Sequence, residues 1–277
     1  MTIGICGLGL IGGSMAKAYR SFGDITVYGY DSDETTLGFA QLSGAINGIL
    51  NEETLTECDL IYVALYPNAA TAYLREIAPK VKKSTLVMDL CGVKSEICRV
   101  GFALAEKFGF TFVGGHPMAG TQFSGFKYTR ANLFRGAPLV IVPREYDDIS
   151  LLNRVKDLTT PAGFGSISVT TAEEHDRMIA FTSQLAHVVS NAYVKSPTSR
   201  SHNGFSAGSY KDMTRVAWLN ENMWSELFIE NRIPLLYEID TIIKSLTEYK
   251  EAIENEDIES LTSLLRDGRI KKEQIDG

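Results

Sequence analysis

The sequence predicts an α/β protein with a doubly wound sheet in its N-terminal part, followed by an all-helical C-terminal part. Three observations carry this. From Met1 to about Val169, short apolar runs alternate with helix-length amphipathic stretches, the pattern of βαβ units feeding a parallel sheet. Several of those runs are apolar on both faces, as strands covered by helices require. Beyond Thr170 the strand-like runs stop and only helical periodicity remains. The chain is therefore divided into domains at 1–169 and 170–277.

Taken in order, strands are expected at 2–6, 25–30, 60–65, 85–90, 111–115, 139–142 and 165–169, each a short apolar run. Helices between them are expected to start near Ile11, Asp33, Asn68, Val93, Thr121 and Asp147. In the second part, 172–193, 213–218, 221–250 and 258–266 read as helices, and 195–209, rich in Ser, Pro, Asn and Gly, reads as an exposed loop. Pro234 is placed to kink the long helix from Glu221. That helix carries a broad apolar face that includes Leu227, Leu235, Ile242 and Leu246. Such a stripe is covered either by core of the same chain or by a second copy.

Composition narrows the function. With 27 Lys plus Arg against 34 Asp plus Glu, the net charge of −7 gives no electrostatic reason to expect a nucleic-acid partner. Cys6, Cys58, Cys91 and Cys98 form no C-x-x-C pair, so they read as buried reduced thiols, and no metal site is expected. No apolar run approaches the length of a bilayer span, and the N-terminus enters a strand at once, without a signal segment. A cytoplasmic protein without membrane contact is the expectation.

The first strand runs straight into Gly7-Leu8-Gly9-Leu10-Ile11-Gly12, which then opens a helix. Gly7 suits the tight turn, Gly9 the approach of a pyrophosphate to the backbone, and Gly12 the close packing of helix on strand. The second strand ends in Asp31, at the spacing of an acid that accepts hydrogen bonds from a ribose 2′-hydroxyl and repels a 2′-phosphate. Strand, glycine turn, helix and acid together make a Rossmann-type site, with NAD favoured over NADP.

A bound nicotinamide implies hydride transfer, which needs a group to manage a hydroxyl proton. His116 follows the strand at 111–115 and so stands at the carboxyl end of the sheet, where ligands of open α/β sheets bind. His187 shares a helix face with Ser183, one turn earlier, and reads from its apolar neighbours as a core histidine. His175 reads as a cap or surface group and His202 as solvated. Arg215, in Lys211-Asp212-Met213-Thr214-Arg215, reads as part of a charged surface turn.

The segments Gly92-Val93-Lys94, Gly114-Gly115-His116-Pro117-Met118-Ala119-Gly120-Thr121, Glu174-His175-Asp176, Ser183-Gln184-Leu185-Ala186-His187 and Lys211-Asp212-Met213-Thr214-Arg215 resemble the prephenate and arogenate dehydrogenase family along nearly the whole chain. The resemblance implies oxidative decarboxylation of a cyclohexadienol by NAD, in tyrosine biosynthesis, with aromatisation driving the step. It implies that His116 accepts the C4 hydroxyl proton and that Arg215 holds a substrate carboxylate. His187 and Ser183 match positions around the substrate side chain. Gly208 and Trp224 match positions near the pocket, some supplied in the family by a partner subunit, so the resemblance also implies a homodimer through the helical domain.

Two departures stand out. Cys91-Gly92-Val93-Lys94 occupies the place of a Gly-Ser-Val-Lys run, so a hydroxyl that orients the C4 oxygen is missing, and a thiol is a weak donor. Gln122 stands where relatives often carry an acid, which removes a partner for the ammonium of arogenate and favours prephenate. An arogenate dehydrogenase and a related 3-hydroxyacid or imine-reducing enzyme are the neighbouring readings. A non-catalytic NAD-binding regulatory protein would be expected to lack the histidine and arginine that are present here.

Overall fold

The computed structural model describes residues 1–121, 123–202 and 204–276. It divides into two compact units, Met1–Asn231 and Arg232–Gly277.

The first unit is built on eight strands: β1 (Thr2–Cys6), β2 (Thr26–Tyr30), β3 (Gly48–Ile49), β4 (Leu60–Val63), β5 (Leu86–Asp89), β6 (Thr111–Pro117), β7 (Pro138–Val142) and β8 (Ser166–Val169). They form one sheet in the order β3-β2-β1-β4-β5-β6-β7-β8. Its helices are α1 (Leu10–Phe22), α2 (Glu34–Leu42), α3 (Glu52–Leu55), α4 (Pro67–Ile77), α5 (Ser95–Phe108), α6 (Ile149–Thr159), α7 (Ala172–Ile179), α8 (Ala186–Tyr193), α9 (Gly208–Thr214) and α10 (Glu221–Glu230).

Alternation along the central strands sorts side chains to two cores, because successive residues point to opposite faces. Ile3, Ile5, Tyr62 and Met88 join Met15 and Tyr19 of α1 and Val155 of α6 on one face. Ile61, Val63 and Val87 join Leu74 of α4 and Ile97 of α5 on the other. The chain order reverses between β1 and β4, so the crevice at their carboxyl ends is the switch point where ligands of such sheets bind.

The sheet departs from the expected uniform parallel order at β7, which runs antiparallel to β6, with His116 opposite Val140. The helix expected near Thr121 is absent among the described residues, and only a 3-10 turn at Phe126–Tyr128 lies in that connection. The two differences have one cause, since a parallel return needs a crossover element and an antiparallel one does not. The connection instead lies on α1: the Arg130 N–H donates to Ser14 Oγ at 3.0 Å and Lys17 Nζ donates to the Thr129 carbonyl at 3.4 Å.

The helix expected over 172–193 is divided by a π segment, Ala180–Leu185. The helix expected over 221–250 is interrupted at Asn231, not kinked at Pro234. Asn231 leaves helical geometry (φ −100°, ψ 26°) and donates from Nδ2 to the Asp176 carbonyl at 2.8 Å and to Gln184 Oε1 at 2.7 Å. Pro234 falls in the first turn of α11 (Arg232–Glu254), where a missing N–H costs little.

The second unit pairs α11 with α12 (Ile258–Asp276), which Asp257 opens by accepting the Ser260 N–H at 2.9 Å. Among the described residues no helix is long and apolar enough to cross a membrane. All four cysteines are buried and unpaired.

Candidate active site

The glycine turn is shaped by clearances that forbid side chains. Gly7 has φ +88°, and a β-carbon there would stand 2.4 Å from the Ala64 carbonyl oxygen; one on Gly12 would stand 1.8 Å from the Gly7 carbonyl oxygen. At Gly9 the same construction meets nothing within 4 Å, so the turn presents bare backbone to open space. Helix α1 begins there with no side-chain cap and no acid in its first turn, leaving the N–H groups of Leu10, Ile11 and Gly12 for an anion. Asp31 lies just after β2, where Oδ2 accepts the Leu8 N–H at 2.7 Å and Oδ1 accepts the Asp33 N–H at 3.0 Å. Each oxygen has lone-pair capacity left for a hydroxyl. A cradle with an open glycine face, uncapped N–H groups and a carboxylate fits a dinucleotide.

His116 lies near the carboxyl end of β6, on the same sheet edge as Gly7. It is densely surrounded by protein, yet part of its surface reaches solvent. Burial first, then the neighbouring His175 and the Lys94 ammonium, hold its pKa well below the ordinary histidine value, so the ring is neutral near pH 7.

Behind it stands a pair for which no role at the site is expected from the sequence. His175, expected at a cap or on the surface, is 3 % exposed, as is Asp176. His175 Nε2 lies 2.8 Å from His116 Nδ1, and His175 Nδ1 lies 2.8 Å from Asp176 Oδ1. Asp176 also accepts the backbone N–H of Lys94 at 2.7 Å and of Ser95 at 2.8 Å, and so caps α5 from another helix. Burial works to raise the Asp176 pKa, but the hydrogen bonds from His175 and Ser95 outweigh it and keep the group ionised. Lys94, fully buried, is ion-paired with Asp89. Asp89 in turn accepts the N–H of Cys91 at 2.9 Å and of Gly115 at 3.3 Å, tying the exits of β5 and β6 together. The one sequence signal for this pair was that Glu174-His175-Asp176 is among the family-like segments. Its depth follows from packing α7 on α5, which no local pattern shows.

The same network continues to the other candidates. Asn231 links the Asp176 carbonyl to Gln184, whose Nε2 donates to the Leu227 carbonyl at 3.2 Å. Gln184 neighbours Ser183 in the π segment, an element that recurs at functional sites. The Ser183 carbonyl accepts from His187 Nδ1 at 2.9 Å, and the His187 ring stacks on Trp224 with centroids 3.8 Å apart. Burial and then the charge of Arg215 lower the His187 pKa, against the opposing pull of the Ser183 carbonyl. His187 is therefore partly buried, neutral and beside a cation. Arg215 itself is exposed, at the start of a 3-10 turn, and makes no ion pair among the described residues. Gly208 opens α9, with nothing within 4 Å of where a β-carbon would stand. Gln122 lies outside the described residues.

Comparison with known proteins supplies the context. Residues 15–167 match the family model for the prephenate dehydrogenase nucleotide-binding domain, and residues 171–267 match that for the prephenate dehydrogenase dimerization domain. The chain is 29 % identical over 269 residues to the cyclohexadienyl dehydrogenase of Zymomonas mobilis, covering 92 % of this chain and 89 % of that one. Among solved structures it is similar to prephenate dehydrogenase from Aquifex aeolicus in complex with hydroxyphenyl propionate and NAD+ (TM-score 0.83, 29 % identity, 99 % of this chain and 98 % of that one). It is also similar to Synechocystis arogenate dehydrogenase (TM-score 0.82, 25 % identity, 99 % of this chain and 100 % of that one).

Proposed function

This chain belongs to the prephenate dehydrogenase family of NAD-dependent oxidoreductases, and we propose that its reaction is the oxidative decarboxylation of prephenate to 4-hydroxyphenylpyruvate in tyrosine biosynthesis. The observation that carries this reading is His116: a neutral, partly solvent-reached imidazole at the carboxyl edge of the sheet that bears the glycine cradle. Only an uncharged imidazole can accept a hydroxyl proton.

In this reading Gly7 to Gly12 hold the pyrophosphate and Asp31 the ribose. NAD, when bound, supplies the hydride acceptor. His116 takes the C4 hydroxyl proton as the carbonyl forms. Arg215, a fork-shaped cation without a carboxylate partner among the described residues, binds a substrate carboxylate. Ser183 and His187 line the pocket around the substrate side chain, Gly208 and Trp224 belong near that pocket, and Gln122, outside the described residues, stays a substrate-binding candidate from the sequence. We place the domain boundary between 169 and 170 and the protein in the cytoplasm. The chain works as a homodimer: its C-terminal match is to a dimerization domain, and α11 exposes Ile233, Leu236, Ile243 and Leu246.

A second reading, arogenate as substrate, is favoured by His187. The Ser183 carbonyl can only accept, so Nδ1 of the neutral ring carries the proton and Nε2 is left as an acceptor. An acceptor suits an ammonium group better than a keto group. Purified protein is assayed with prephenate and arogenate separately, each with NAD and with NADP, and with tyrosine added as inhibitor. Reduction of NAD by prephenate at the higher kcat/KM supports the first reading, preference for arogenate the second, and no turnover of either overturns both.

A further inference from the structure

We propose that His175 and Asp176 are positioning residues that fix the tautomer of His116, leaving its Nε2 as a bare lone pair for the substrate proton. This rests on the reading of His116 as proton acceptor.

The polarity of the chain is set at its inner end by the main chain. The N–H groups of Lys94 and Ser95 can donate but never accept, and both point at Asp176. They lie at the N-terminal end of α5, whose dipole also favours a negative charge. Asp176 is thus an acceptor, and at 2.8 Å from Oδ1 the Nδ1 of His175 must carry a proton. In the neutral ring that leaves His175 Nε2 bare. Two bare nitrogens would repel at 2.8 Å, so His116 Nδ1 carries the proton that lies between them. A neutral His116 protonated on Nδ1 has its free lone pair on Nε2.

Every group in the series has one permitted role, so the tautomer at the active site is decided two residues away by backbone amides. Further hydrogen bonds hold the frame: Ser95 Oγ donates to Asp176 Oδ2, and Asn231 Nδ2 donates to the Asp176 carbonyl. In the reaction the substrate O–H bond breaks and its proton bonds to Nε2, while the electron pair left on oxygen forms the carbonyl as the C4–H pair departs as the hydride that NAD, when bound, would accept. Once carbon dioxide leaves and the ring becomes aromatic, the phenolate oxygen takes that proton back from Nε2. In between, the imidazolium keeps its Nδ1–H on His175, whose own Nδ1–H remains on the carboxylate. This is the logic by which a buried acid orients a catalytic histidine, with a second imidazole interposed. It also gives this chain an orienting device for its base although Gly92 lacks a hydroxyl.

The test reads the ring directly. In protein labelled with 15N-histidine, two-bond proton–nitrogen spectra at pH 8 are expected to show His116 protonated on Nδ1 and bare on Nε2, with its signals assigned by loss in His116→Asn. In His175→Ala that preference is lost and kcat falls by about 100-fold, while KM for the turned-over substrate changes by less than about threefold, as expected for an interaction used only in the transition state. His175→Gln, whose carbonyl can accept from His116 Nδ1, recovers part of the rate and the Nδ1–H form. Should the alanine variant fail to fold, the wild-type spectrum and the glutamine variant decide the matter. A wild-type His116 protonated on Nε2, or an alanine variant with unchanged tautomer and kcat, overturns the proposal. Because the spectrum needs no substrate, the expected tautomer in a protein that turns over neither prephenate nor arogenate would support the positioning role and sink only the functional reading.

Discussion

Leu227 borders the space that a side chain at Gly92 would need: a β-carbon on Gly92 would stand 3.3 Å from Leu227 Cδ2, close enough that the leucine must give by a few tenths of an ångström, and 3.6 Å from Cδ1. The two positions are fitted to each other across the site. Gly92→Ser is therefore expected to strain Leu227 and lower Tm by about 2–4 °C, the effect of roughly 1 kcal/mol of overpacking in a chain of this size. Gly92→Ser combined with Leu227→Val is expected to recover Tm. Thermal melts of the three proteins check this, and a double variant no more stable than the single one would show that Leu227 is not what the serine meets.

His116→Asn keeps a polar side chain but no proton acceptor of comparable basicity. We expect kcat to fall by about 100- to 10,000-fold with NAD affinity unchanged. Steady-state kinetics and a fluorescence titration with NAD provide the two readouts.

The pH dependence follows from groups facing His116: His175 and Asp176 on α7, Lys94 ahead of α5, and Asp89 on β5. Burial lowers the pKa of both histidines from the ordinary 6.5. As a base, His116 stays neutral below that value, so the acid limb of kcat/KM should lie below pH 6.5. For stability the sign is the same. Between the folded and unfolded pKa values the unfolded chain binds more protons, so Tm should hold above pH 6.5 and fall as the pH drops below it. A kcat/KM profile with its acid midpoint above 6.5 would contradict the lowered pKa.

Asp31 holds the Leu8 N–H, and in the proposed reading it also holds the ribose. Asp31→Ala should weaken NAD binding by about tenfold or more, the loss expected for a hydrogen bond to a charged group, and should narrow the preference for NAD over NADP. Titration with each cofactor measures both, and an unchanged ratio would remove Asp31 from cofactor choice.

On α10, Glu230 is raised to about 7 by burial and by the nearby Glu226, Glu96 and Asp176. A carboxyl with a raised folded pKa costs stability as the pH rises from the ordinary 4.5 of the unfolded chain, and the loss is nearly complete once the pH passes the folded value of about 7. Glu230→Gln should raise Tm at pH 8 by about 2–4 °C, allowing for its partial exposure, and leave Tm at pH 5 nearly unchanged. Equal gains at both pH values would rule out ionisation as the cause.

The cofactor half of the site was legible because its signal is local. Gly7, Gly9, Gly12 and Asp31 lie within one strand-turn-helix-strand unit, where spacing alone determines what the backbone can do. The position of His116 near the carboxyl end of an apolar strand was legible for a related reason, although β6 runs on through it to Pro117 and does not stop at Gly115. His175 and Asp176 were not, because a histidine and an aspartate in the first turn of a helix look the same whether that turn faces water or another helix. The expected helix near Thr121 and the kink at Pro234 failed on the same ground. Local propensity proposed them, and packing of 126–130 on α1 and the pull of Asp176 and Gln184 on Asn231 decided otherwise.

By itself the sequence determined the α/β plan, the dinucleotide turn, the acid after β2 and the family resemblance, all written in spacings of residues close along the chain. Only the tertiary structure decided which groups stand behind His116. A hydrogen bond between residues 59 positions apart, as between His116 and His175, depends on how α7 is laid against α5 and β6, and burial then sets which of those groups carries charge.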